Sequence, residues 1–139
     1  MAKDYVEIIQ GIDEYALQLK ALIPETLSGF SQLSRAAQAP GALDRKTKEL
    51  IAMAIAIATR CDGCVAFHAE AALKQGASRA EVLETVGMAI YMGAGPSVMY
   101  AAQALAAFGQ FSAAAAPRPP GMARGPAHGA PGLGSRPAR

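Results

Sequence analysis

Tryptophan is absent from the 139 residues, and four tyrosines and four phenylalanines supply all the aromatic content, 6% of the chain. Hydrophobic residues make up 52%, much of it alanine, the strongest helix former and one that loses no side-chain entropy on folding. Few aromatics and many small side chains point away from a β-sandwich and toward closely packed helices. No period-two alternation of useful length marks a strand. The longest unbroken apolar run, Leu50 to Ala58, is nine residues, against about 20 for a membrane-crossing helix. The opening Met-Ala-Lys-Asp-Tyr-Val-Glu mixes charges and has no apolar core of a secretory signal. These absences predict a cytoplasmic protein with no membrane partner. At 139 residues the chain suffices for one domain with a real core.

Charge of one sign is also lacking. The formal net charge is +2, but four arginines (Arg118, Arg124, Arg136 and Arg139) and no acid lie from Pro117 onward, leaving the rest near −2. A basic stripe on a folded body, the footprint of nucleic-acid binding, is therefore not expected. The same C-terminal stretch holds six of the nine prolines and five of the fourteen glycines. It has too little apolar surface to offset its ordering entropy. Residues 113–139 are read as a disordered tail whose His128 is solvent-exposed and inert, and residues 1–112 as one all-helical domain with its core in 43–108.

About six helices are expected. Over residues 4–21, Tyr5, Ile8, Ile9, Ile12, Tyr15, Ala16 and Leu19 recur at three- and four-residue steps, which gives one apolar face. Pro24 suits the first turn of a second helix, ending near Gln38 before Pro40-Gly41. Asp44 is a plausible cap for a third, whose body from Glu49 to Thr59 is apolar on every side and should lie amid the packing. After a break or tight junction at Arg60 to Gly63, a fourth carries Cys64, Phe67, His68 and Leu73 and stops near Gly76. Ser78-Arg79-Ala80-Glu81 has the capping-box pattern and opens a fifth, running to about Met92. Gly93-Ala94-Gly95 breaks it, and Pro96 starts a sixth that ends near Phe108 or Gly109. Six short helices cannot hide both the third helix and the Met88–Met92 segment from water, so a homo-oligomer is expected.

Cysteine, like histidine, occurs only twice, and both cysteines fall together in Cys61-Asp62-Gly63-Cys64-Val65-Ala66-Phe67-His68. At ~100° per residue, Cys61, Cys64 and His68 share a sector of about 60° on a helix. In a reducing compartment such a pair is seldom a structural staple. Only the thiolate is a nucleophile, and its pKa, ~8.5 when free, is lowered by a helix N-terminus or a neighbouring imidazolium. The helix start acts most directly on Cys61, and His68 on Cys64. At this spacing the thiols can also close a disulfide, each resolving an oxidised form of the other. Glu49, twelve residues before Cys61, is either a partner that orients His68 and shares its proton, or a solvated first-turn acid beside Lys46 and Lys48. Inert cysteine packing and metal binding remain alternatives. A structural zinc site, however, needs four ligands, and two thiols, one imidazole and one carboxylate would be an unusual set.

The series Glu49, Cys61, Cys64, His68, with spacings of twelve, three and four, resembles the Glu…Cys-x-x-Cys-x-x-x-His signature of the alkylhydroperoxidase D-like proteins. These belong to the carboxymuconolactone decarboxylase superfamily. Ala72 to Val82 and Met88 to Pro96 are similar to the segments that follow it there, so the likeness covers about Leu43 to Phe108. The resemblance implies an all-α fold assembled as trimers or hexamers, with thiol-dependent reduction of a hydroperoxide substrate and neither cofactor nor metal. It casts Cys64 as the attacking thiol, Cys61 as proton donor and resolving thiol, and His68 with Glu49 as proton relay. Electrons would return from a dithiol, in well-known relatives a lipoyl group on a carrier protein. Founding members carry a histidine between the cysteines, where this chain has Asp62-Gly63, and an aspartate beside Cys61 disfavours its thiolate. Two other functions fit the superfamily or the helices: decarboxylation of a muconolactone-type acid, for which no arginine or histidine cluster is evident, and a non-catalytic redox-sensing oligomer.

Overall fold

A computed structural model describes residues 3–117, and these are all-helical. Five helices follow in order: α1 (Tyr5–Leu22), α2 (Pro24–Gln38), α3 (Arg45–Thr59), α4 (Asp62–Lys74) and α5 (Arg79–Ala115). Local chemistry sets most of the boundaries. Asp4 caps α1 by accepting from the Glu7 N–H, and Asp44 caps α3 by accepting from Thr47 at 2.7 Å. Pro24 stands in the first turn of α2, separated from α1 by Ile23 alone. Gly76, at φ 82°, ends the α4 segment, where its left-handed conformation costs least. The Ser78–Glu81 capping box opens α5 with reciprocal bonds of 2.8 and 3.2 Å.

The last element differs from the expected pair of helices. Arg79 to Ala115 is one helix with a kink, where Ala94 adopts φ 52° and ψ −149°. The expected break is present, but Pro96 resumes the helix within two residues. Gly93 is required just before it, since a Cβ there would collide with the Ser97 side chain. The helix also continues past Gly109 to Ala115. Phe111 is buried and Gln110 binds the N-terminal arm, and the alanines that follow favour helix. Residues 113–115, assigned to the tail from composition, are thus helical. The disorder expected of the tail and the place of His128 lie outside the described residues, apart from the helical segment and Ala116–Pro117.

α3 packs mainly on α5 and α4. Met53, Ile57, Val65 and Val82 are fully buried with a run of alanines, Ala66, Ala69, Ala72, Ala104 and Ala107. Small side chains let these helices approach closely. Burying a side chain the size of Met53 or Ile57 contributes about 1.5–3 kcal/mol. α3 lies amid the packing through Met53 and Ile57, and the other helices leave part of it uncovered, as expected: Ile51 and Ile55 are exposed, Ile55 by 57%. Their face of α3 borders a cavity rather than another helix of the same chain.

Candidate functional site

The redox candidates sit where α3 turns into α4. Arg60 ends α3 in the left-handed conformation (φ 58°), and its N–H and that of Cys61 return to the Ile57 and Ala56 carbonyls. Of the two forms expected here, the structure takes the tight junction, because Cys61 is itself the N-cap of α4. Its Sγ accepts the Cys64 N–H at 3.2 Å, in the place usually taken by a serine or aspartate oxygen. Cys61 and Cys64 are joined as a disulfide. Gly63 lies under α1: a Cβ there would meet Ile12 Cδ1 at 2.7 Å, so α1 covers the first turn of α4.

Glu49 and His68 meet across the α3–α4 interface, with His68 Nδ1 2.8 Å from Glu49 Oε2. Glu49 is 2% exposed, a buried acid rather than a solvated first-turn residue. A carboxylate only accepts, so Nδ1 carries the proton in this bond and Nε2 is the nitrogen left to exchange one. The other Glu49 oxygen lies 3.9 Å from Arg45 Nε, one helical turn earlier.

The disulfide and His68 line one cavity of about 780 Å³, walled by Ile12, Phe30, Leu33, Ile51, Ile55 and Phe67. Lys48 reaches its edge and donates to the carbonyls of Ala37 and Ala39, the end of α2. All four residues singled out from the sequence are therefore brought together, three on the cavity wall and Glu49 behind His68. Sequence reasoning missed Arg45 as a second partner of Glu49, although its i, i+4 spacing was visible. It also missed the role of Lys48 in tying α2 to α3, for which no local pattern exists. Among the described residues, no group of three or more His, Cys, Asp or Glu side chains is placed to hold a metal ion, and no helix is long and apolar enough to cross a membrane.

The model of the "Carboxymuconolactone decarboxylase family" matches residues 24–107. Among solved structures, a carboxymuconolactone decarboxylase family protein from Legionella pneumophila is 52% identical and superposes with a TM-score of 0.77, over 78% of this chain and 96% of that one. A family protein from Thermotoga maritima, with suggested involvement in the antioxidative response, is 26% identical with a TM-score of 0.67, over 80% and 92%. Among curated sequences, an uncharacterized protein of Cupriavidus necator is 42% identical over 65% of this chain and 80% of its own length.

Proposed function

The chain belongs to the carboxymuconolactone decarboxylase family, and from that premise we propose that it is a thiol-dependent hydroperoxide reductase working through Cys61 and Cys64. One observation carries this reading: the paired sulfurs open on the same cavity as an imidazole whose other face is held by a buried carboxylate. Buried acids persist where a partner repays their desolvation, and a histidine so held is oriented to move protons.

In the reduced protein, the Cys64 thiolate attacks the outer oxygen of a hydroperoxide. The O–O bond breaks, Cys64 becomes a sulfenic acid, and the alkoxide leaves as the alcohol after taking one proton. His68, one turn beyond Cys64 and backed by Glu49, exchanges that proton through Nε2. The Cys61 sulfur then attacks the Cys64 sulfur; its proton and the sulfenic hydroxyl depart as water, and the disulfide forms. An external dithiol, such as a lipoyl group on a carrier protein, returns two electrons and two protons and is itself oxidised to a disulfide. The apolar walls suit an organic hydroperoxide better than hydrogen peroxide, because burying an alkyl group there gains about 25 cal/mol per Å². A reducing compartment such as the cytoplasm would keep the pair available for this cycle.

We further propose that the protein works as a homo-oligomer, a trimer or a hexamer. Phe30, Leu33 and Ile55 on one side and Tyr91, Met92 and Met99 on the other are exposed, Tyr91 by 77%. Apolar patches of this kind mark subunit contacts.

Steady-state consumption of cumene hydroperoxide with dihydrolipoamide as reductant tests the activity. Turnover by the native protein and none by Cys64→Ser is the expected result; equal turnover by both overturns the assignment.

A further inference from the structure

The acid inside the cysteine pair is left over by this chemistry. Asp62 opens α4, next to Cys61. A carboxylate suits a helix N-terminus, but beside Cys61 it opposes formation of a thiolate. The structure supplies a counter-charge from 59 residues away: Lys3 Nζ lies 2.8 Å from both Asp62 oxygens.

Lys3 is held in place from α5. The Gln110 amide donates to the Lys3 carbonyl and accepts the Tyr5 N–H, each at 2.8 Å, so one side chain grips the N-terminal arm on both sides. The buried Tyr5 hydroxyl donates to Gln103 Oε1 at 2.8 Å, and the Lys3 ammonium lies 5.6 Å from the centre of the Tyr100 ring. Burial, then the charge of Asp62, then Tyr100, push the Tyr5 phenol up to about 12. Of the other charged and titratable groups around the pair, His68 shares the cavity wall with Cys64 and none bonds to Asp62. Glu49 is bonded to His68, Lys48 binds the end of α2, and Arg60 is exposed at the α3–α4 turn.

We propose that Lys3, fixed by Gln110, is a positioning residue for the redox pair, neutralising Asp62 so that the reduced cysteines can carry a thiolate where α4 begins. This rests on the pair being redox-active but not on the oxidant it meets. It also accounts for how an aspartate is accommodated between these cysteines.

The test uses full-length protein reduced with a phosphine, with iodoacetamide alkylation followed from pH 5 to 9. Both partners are about 40% exposed, so the effect is modest: Lys3→Gln slows alkylation at pH 7 by about two- to threefold and moves the profile to higher pH. Lys3→Arg retains the native profile. In an Asp62→Asn background, Lys3→Gln shifts the profile by less than half as much. A native profile in Lys3→Gln, with or without a lower melting temperature, overturns the proposal, as does an equal shift in both backgrounds. No peroxide enters this experiment, so a protein inert toward hydroperoxides would sink the peroxidase assignment and leave this result readable.

Discussion

His68 Nδ1 and Glu49 Oε2 are 2.8 Å apart, and the carboxylate is almost wholly buried. The pair gives a buried acid its partner and a half-buried imidazole its orientation, so the two residues affect activity and stability differently.

Glu49→Gln keeps the shape and one hydrogen-bonding oxygen but removes the charge that supports the imidazolium. Peroxide turnover should fall on the order of 10²-fold, the lower end for a lost general acid–base group, with little change in folding. His68→Ala should also slow turnover, and in addition destabilise the fold by about 1–3 kcal/mol, because it leaves the Glu49 carboxylate buried with only the distant Arg45. Steady-state rates and urea denaturation of both variants check the contrast.

The acid limb of stability is set at the helix starts. The Thr47 backbone N–H holds the Asp44 carboxyl below its usual range, and the hydrogen bond from Lys46, with that from Ser78, does the same for Glu81. A carboxyl whose folded pKa is lowered contributes stability above its unfolded pKa and loses it as pH falls through the folded one. The denaturation midpoint should therefore be level near neutrality and fall below about pH 4.5, with a shallower fall in Asp44→Ala. Tyr5 acts in the opposite sense. Its folded pKa is raised to about 12, so its contribution is full below pH ~10 and lost between ~10 and ~12. Tyr5→Phe should flatten that alkaline loss, and at neutral pH should cost about 1 kcal/mol through its bond to Gln103.

Two non-glycine residues take positive φ, Arg60 at 58° and Ala94 at 52°. A left-handed L-residue costs roughly 1–2 kcal/mol, partly offset in the glycine variant by a floppier unfolded chain. Arg60→Gly and Ala94→Gly should each raise stability by about 0.5–1 kcal/mol. Thermal melts would show it.

Ile57 and Ile55 lie two residues apart on α3 with opposite fates, one fully buried and one exposed on the cavity face. Ile57→Ala should cost about 2–5 kcal/mol. Ile55→Glu should leave chemical stability within about 0.5 kcal/mol, the usual range for surface changes, while lowering the oligomer mass in light scattering. A native protein that is already a monomer at micromolar concentration would contradict the assembly.

Much of this arrangement was legible in the residues themselves, where the cause is local. Asp44, Pro24 and the Ser78–Glu81 box mark helix starts by nearest-neighbour chemistry, and the elements begin there. The cysteine spacing announced a pair able to close on itself. Glu49 was ambiguous because its local neighbours, Lys46 and Lys48, suggest a solvated acid. Only the crossing of α3 and α4 buries it, while Lys46 is drawn to Glu81 and Lys48 to the end of α2. Lys3 and Asp62 gave no signal, since nothing in a linear pattern brings the N-terminal arm to α4. That part of α3 would stay uncovered was legible from its apolar run, but which of its residues, Ile51 and Ile55, was not, because that depends on where α1 and α2 lie.

If the two sulfurs supply the electrons for peroxide reduction, a single-turnover thiol count registers their loss. One equivalent of cumene hydroperoxide, added to the fully reduced protein without external dithiol, should consume both thiols and leave a Cys61–Cys64 disulfide. Cys61→Ser should stop at a sulfenic acid on Cys64, detectable by dimedone labelling. Thiols that remain at two per chain after the hydroperoxide is added would contradict the account.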